Sequence, residues 1–270
     1  MRTRTARAVR LLASAAIAGA LALCVTGCKT TDNDITGSLG PGNPPHSDAD
    51  WRRSAELWGA RYRQNPGDPD AAIAYARALR ATEQRAQAVA VLEQTTIRNP
   101  NNMPLLGAYG RALAEAGNYS QALDILGRAH TPDNPDWRIL NAQGAVLDQL
   151  GRHAEAQRHY SAALRIVPGE PSVLSNLGLS YALTKDLRRA EATLRQAAAR
   201  PGAAPKVRQN LALVVGLQGR FAEAEAIASA DLPPAEAAAN VGYLRQMLAQ
   251  RNDWSKKGAP PYVPPPDAGT

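Results

Sequence analysis

Cysteine is nearly missing from this chain: there are two, Cys24 and Cys28, both near the start. Cys24 lies in an apolar run expected to be cut away, which leaves one thiol and no disulfide to staple what remains. Aromatics are scarce too, at 5% of the chain with a single Phe. The apolar 44% is mostly Ala and Leu. Both are strong helix formers, whereas the β-branched and aromatic residues that favour strands are few. An all-α fold is expected. A concentrated basic patch is also lacking. The net charge is +7, but Arg2, Arg4, Arg7 and Arg10 precede residue 28 with no acid among them, and without them 27 basic residues face 24 acidic ones. No nucleic-acid partner is expected. Chemistry-bearing motifs are absent as well. There is no His-Glu-x-x-His, no paired-Cys set and no P-loop. Of the four histidines, His46, His130, His153 and His159, the last two fall on different faces of a helix. No enzyme activity, no cofactor and no metal is expected.

What is present begins with a leader. Residues 1–27 run from arginines through an apolar stretch, Leu11 to Val25, into Thr26-Gly27. This is the layout of a secretory signal, and the stretch is shorter than the ~20 residues of a membrane-spanning helix. Its end, Val25-Thr26-Gly27-Cys28, resembles the bacterial lipobox. That resemblance implies a diacylglyceryl group on the Cys28 thiol and cleavage before it. Several acyl chains give stable anchoring at ~0.8 kcal/mol per buried methylene. Lys29 follows where Asp does not, which by resemblance to Gram-negative lipoproteins favours the outer membrane. Residues 28–47, rich in Gly, Pro and polar side chains, read as a flexible tether. Residues 253–270, with Pro260, Pro261, Pro264, Pro265 and Pro266, read as a Pro-rich disordered tail.

The segment 48–252 repeats. Ala76, Gly110, Gly144, Gly178 and Ala212 recur every 34 residues, each followed twelve residues later by Ala88, Ala122, Ala156, Ala190 or Ala224. Pro100 and Pro168 close two of the units. This period and these small residues are the tetratricopeptide signature. Leu106, Leu140 and Leu174 recur at the fourth position, and Leu92, Leu126, Tyr160 and Leu194 at the twenty-fourth. Gly117, Gly151 and Gly219 mark the turn inside a helix pair, where a left-handed residue ends the first helix. The expected repeats are 69–102, 103–136, 137–170, 171–204 and 205–232. A helix at 235–251 caps them, and a helix with Trp51, Leu57 and Trp58 precedes them. Each unit is two antiparallel helices that cannot cover their own apolar stripes, so stacking buries a continuous core. The fifth unit departs from the pattern, with Arg208 at position four.

The working surface expected of such an array is the groove lined by the first helices. Its candidate partner-binding residues are Ile73, Arg77, Arg80, Arg111, Arg138, Asn141, Ser175, Leu179, Lys206, Gln209 and Leu213, with Asp148 beside them and Asn176 and Asn210 at the border. Arginines suit acidic groups of a bound segment, and Asn suits its backbone.

The stretches Trp51-Arg52-Arg53-Ser54-Ala55-Glu56-Leu57-Trp58, Pro171-Ser172-Val173-Leu174-Ser175-Asn176-Leu177-Gly178-Leu179-Ser180-Tyr181-Ala182-Leu183 and Val207-Arg208-Gln209-Asn210-Leu211-Ala212-Leu213 carry a further likeness. From about Trp51 to Trp254 the chain resembles the TadD family, tetratricopeptide-repeat lipoproteins of the tight-adherence (Flp) pilus assembly system. That resemblance implies an outer-membrane lipoprotein scaffold facing the periplasm, with the pilus secretin or another pilus assembly subunit as its protein partner. The competing reading is a general envelope adaptor that recruits peptidoglycan enzymes or outer-membrane assembly factors.

Overall fold

The structure, a computed structural model, describes residues 47–257. The leader, Cys28, the tether up to residue 46 and the tail beyond residue 257 lie outside the described residues. Twelve helices and no strands occur among those described. The chain divides into two compact units at Ala204/Pro205.

The first unit opens with α1 (Asp48–Gln64), capped by Ser47 in a capping box with Asp50. Four helix hairpins follow: α2 (Pro69–Ala81) with α3 (Arg85–Arg98), α4 (Met103–Glu115) with α5 (Tyr119–Gly127), α6 (Trp137–Gln149) with α7 (His153–Ile166), and α8 (Pro171–Leu183) with α9 (Leu187–Ala198). The sequence sets their starts. Asp68, Asn102, Asp136 and Glu170, spaced by 34, each accept a hydrogen bond from a backbone N–H in the first turn of α2, α4, α6 and α8. Such caps are worth ~1 kcal/mol each. Pro69 and Pro171, just inside, need no N–H partner.

The turn inside each hairpin is equally regular. Gly117 and Gly151 have positive φ, and so do Glu83 and Lys185 at the equivalent position. The N–H of the next residue reaches five residues back to a helix carbonyl, as in Gln84 to Leu79, Asn118 to Leu113, Arg152 to Leu147 and Asp186 to Tyr181. This is the bond that closes a helix end through a left-handed residue.

Packing explains the small residues. A methyl group on Gly110 would lie 2.6 Å from Leu126 Cγ, one on Gly144 would lie 2.5 Å from the Tyr160 ring, and one on Gly178 would lie 2.6 Å from Leu194 Cγ. Position eight is therefore open so that the position-twenty-four side chain of the partner helix can sit on the backbone. Ala88, Ala122, Ala156 and Ala190, at position twenty, are fully covered. Along the first helices, Leu79, Leu106, Leu113 and Leu147 fill the core. At the entrance, α1 buries Trp51, Gly59 and Tyr62, and the Tyr62 hydroxyl donates to Gln94 at 2.8 Å. Leu57 of the same helix is 56% exposed.

The second unit holds α10 (Pro205–Leu217), α11 (Phe221–Ala228) and α12 (Pro234–Lys257). Ala204 stands before its first helix, where Asp, Asn or Glu did in the first unit, so the residue there has no side-chain oxygen with which to cap. Gly219 repeats the positive-φ turn. Arg208, the departure at position four, is answered by Asp231 at 2.6 Å, which ties the start of α10 to the end of α11. Leu244 of α12 sits over Gly216 of α10 at 2.5 Å from where a methyl would stand. The helix α12 runs to Lys257, so residues 253–257, assigned to the tail on sequence, are helical. The cause is the absence of any Gly or Pro between Gly242 and Gly258.

Candidate functional site

The first helices α2, α4, α6 and α8 put their second, fifth, ninth and twelfth residues on one face, because these positions share one side of a 3.6-residue helix. Within the first unit this face carries Ile73, Arg77, Arg80, Arg111, Arg138, Asn141, Ser175, Asn176 and Leu179. Arg77 and Arg111 are half-buried with their Nε atoms fully covered. The Arg77 guanidinium stands 5.3 Å over the Trp51 ring, and that of Arg138 stands 4.5 Å over Trp137. Stacking of this kind helps to fix the orientation of a guanidinium.

Arg80 is paired across the repeats. Its Nε donates to Glu115 at 2.6 Å and a second nitrogen pairs with the same carboxylate, from α2 across to α4. Its charge is spent between repeats. Asn141 and Ser175 are 4% and 5% exposed, so they shape the face from beneath rather than contact a partner directly. Asn176 donates to the Asn141 carbonyl oxygen at 3.0 Å, a second bridge between repeats. Both bridges join residues 35 apart, one more than the period. That offset was a legible signal for the Arg80–Glu115 pair, which sequence reasoning missed. Leu179 is half-buried on α8, and Ile73 packs at the edge of the core. Gly107, at position five, lets Ile139 of α6 approach to 2.8 Å of where a methyl would be. The candidates Lys206, Gln209, Asn210 and Leu213 lie on α10 of the second unit, with Lys206 exposed and the other three half-buried.

Asp148 organises the polar interior of this face. Its carboxylate, with a side chain 8% exposed, accepts from the Ser180 hydroxyl at 2.8 Å and the Tyr160 hydroxyl at 3.1 Å, and lies 2.8 Å from His153 Nδ1. These partners come from α7 and α8. Burial pushes the Asp148 carboxyl above the usual range, and the hydrogen bonds from His153, Ser180 and Tyr160 pull it partly back. Tyr160 is raised well above the ordinary phenol by burial and then by Asp148. Serine and imidazole both bind the carboxylate, so neither activates the other. The group is a clasp, without the nucleophile–base contact that acyl transfer needs. Tyr109, one hairpin earlier, is pushed up to about 12 by burial and the nearby Glu93.

The second helices present something different. His159 of α7 is lowered by burial and then by His130 of the α5–α6 loop, and the Nδ1 atoms of both are buried without a hydrogen-bond partner. No group of three or more His, Cys, Asp or Glu placed to hold a metal ion occurs among the described residues. No described helix is long and apolar enough to cross a membrane.

Comparison with known proteins places these hairpins. The tetratricopeptide-repeat family profile matches residues 110–171 and 141–205, and that of anaphase-promoting complex, cyclosome, subunit 3 matches residues 52–129. No curated protein matches the chain by sequence. Among solved structures the chain is similar to PilW, described as a widely conserved type IV pilus biogenesis factor, at a TM-score of 0.62 and 16% identity, over 72% of this chain and 91% of that one. It is similar to a chain of the APC/C hetero-tetramer Cut9–Hcn1 at a TM-score of 0.61 and 15% identity, over 76% of this chain but only 42% of that one. A thermophilic tetratricopeptide-repeat protein of Thermus thermophilus follows at 0.58 and 22% identity, over 67% of this chain and 100% of that one. At these identities the likeness is one of fold.

Proposed function

Because the chain is a tetratricopeptide-repeat protein, we propose that it is a scaffold, holding an acidic extended segment of a partner protein against the first-helix face of its first unit. Folds of this family are typically interaction scaffolds without catalysis. The observation that carries the reading is the set of half-buried arginines, Arg77, Arg111 and Arg138, on successive first helices, with Arg77 and Arg138 stacked on Trp rings. Held guanidiniums lose little further freedom on binding and pair with carboxylates in bidentate fashion.

The setting we propose is the outer membrane, facing the periplasm, with the chain anchored through a lipid on Cys28 and serving tight-adherence (Flp) pilus assembly. Its partner there is the secretin or another pilus assembly subunit. Support comes from the lipobox-like Val25-Thr26-Gly27-Cys28, from the likeness to the TadD family, and from a fold shared with a pilus biogenesis factor. A lipid tether and a binding face act together by raising the local concentration of the client.

The test is the amount of secretin multimer in the outer membrane of a strain lacking this gene. Loss of the multimer is expected, with rescue by the wild type and not by Cys28→Ser or by Arg77→Glu with Arg111→Glu. Unchanged multimers and pili would discard the pilus role and leave a general envelope adaptor. Full rescue by the double Glu variant would remove the arginine face from the mechanism.

A further inference from the structure

The second helices carry a cavity that the repeat pattern does not call for. The helix α5 has nine residues and stops at Gly127, whereas α3 and α7 have fourteen and α9 has twelve. The chain then turns through a loop with a bridge between Thr131 and Asn134. The missing turns of helix leave a cavity of about 480 Å³, walled by Pro132 and Pro135 of the loop, Leu140 of α6, and Ala162 and Ile166 of α7, with Arg165 at its rim.

Two side chains here are unfinished. Ile166 is 40% exposed, one of few large apolar residues so open. Arg165 is exposed and has no hydrogen bond or ion pair with any described residue. It also lines a neighbouring cavity of about 400 Å³ together with Arg158 and Tyr181. Arg158 and Arg165, seven apart, lie along the same side of α7. Of the acids in the loop, Asp136 is engaged as the cap of α6, and Asp133 is exposed on the turn.

We propose that this cavity is a second docking site, for an extended partner segment presenting one bulky aliphatic or aromatic side chain next to an Asp or Glu. The volume accepts such a side chain, which gains by leaving water. The prolines fix their own backbone, so the wall is formed before binding. The adjacent carboxylate answers Arg165, while a segment flanked by Lys or Arg is repelled. This site is separate from the first-helix face and stands whether or not that face binds.

The probe is the peptide acetyl-Gly-Ser-Leu-Glu-Ser-Gly-amide, titrated into the full chain with its isoleucine methyl groups isotopically labelled. The Ile166 methyl resonance is expected to shift and saturate. Replacing Leu by Ala in the peptide, or Arg165→Glu in the protein, should weaken binding about tenfold. Ala162→Trp, which fills the cavity, should abolish it, and Arg111→Glu should leave it unchanged. Arg165 is exposed, so its variant reads the site even if Ala162→Trp fails to fold. An unmoved Ile166 resonance, or an affinity indifferent to Arg165→Glu, overturns the proposal. Loss of binding with Arg111→Glu also overturns it, by moving the peptide to the first-helix face.

Discussion

The second and third hairpins of the first unit carry the same signature and end differently. Both place glycine at position eight, alanine at position twenty and a positive-φ glycine in the turn. Yet α5 stops after nine residues and opens a cavity, while α7 runs for fourteen and meets a buried carboxylate. The shared residues all lie at the seam between the two helices of a hairpin, where backbone meets side chain. The hairpins differ at the far end of the second helix, at position twenty-four, which is Leu126 in one and Tyr160 in the other, and at position twelve of the first helix, which is Ala114 in one and Asp148 in the other. The signature dictates how a hairpin closes. What it leaves free is where the cavity and the buried carboxylate arise.

The largest expected effect is at that seam. A methyl on Gly144 would stand 2.5 Å from the ring of Tyr160, a rigid and fully buried side chain held by Asp148. A methyl on Gly110 would meet Leu126, whose branched end can rotate. Overpacking of this kind typically costs about 1–3 kcal/mol, so Gly144→Ala is expected to destabilise by about 3 kcal/mol and Gly110→Ala by about 1. Urea denaturation of both variants checks the difference. Equal losses would mean that the aromatic ring gives way as easily as leucine.

The seam was readable in advance because it repeats. Ala76, Gly110, Gly144 and Gly178 recur at one spacing, and only a close approach of backbones makes that spacing necessary. The caps Asp68, Asn102, Asp136 and Glu170 were equally periodic. The end of α5 was harder to see. Thr131 and Pro132 fall where α3 and α7 are still helical in their own repeats, but the count of 34 is kept, so the register hides the break. The face was readable in part. Arg77, Arg111 and Arg138 followed from position alone. The burial of Asn141 and Ser175 did not, because relative depth depends on how neighbouring repeats approach. Nor did the clasp on Asp148, since Ser180 comes from the next hairpin, 32 residues on.

Asp148 gives the intermediate effect and has no counterpart in the second hairpin. Asp148→Ala leaves two buried hydroxyl donors without their acceptor, and unsatisfied buried groups cost about 1–3 kcal/mol, so a loss of about 2 kcal/mol is expected. Ala114→Gly in the equivalent place should cost about 1 kcal/mol, the helix propensity difference alone. The pH dependence separates charge from packing. The Asp148 carboxyl is raised in the folded state by burial. Its contribution is therefore fully present below the ordinary value of 3.8 and is lost as the pH rises through the raised folded value. The stability difference between wild type and Asp148→Asn should shift in favour of the wild type as the pH falls through that window. A difference independent of pH would show that the carboxylate is not the costly charge its burial implies.

The smallest effect sharpens the comparison at the turn. Gly151 and Gly117 hold φ of 74° and 83°, while Lys185 holds 66° at the same place in the fourth hairpin. A side chain in that region costs ~1–2 kcal/mol, and glycine gives part of this back through the greater freedom of the unfolded chain. Lys185→Gly is accordingly expected to stabilise by about 1 kcal/mol, and Gly151→Lys to destabilise by about the same amount. No heavy atom approaches the Gly151 position within 4 Å, so the second variant tests the backbone alone. Thermal melts of the two single variants and of the pair read it directly. If both shift stability as expected and the double variant returns to the wild-type value, the turn residue acts through its own φ and independently in each hairpin. If Lys185→Gly has no effect, contacts of the lysine side chain offset the strain, and the turn is set by its surroundings rather than by its residue.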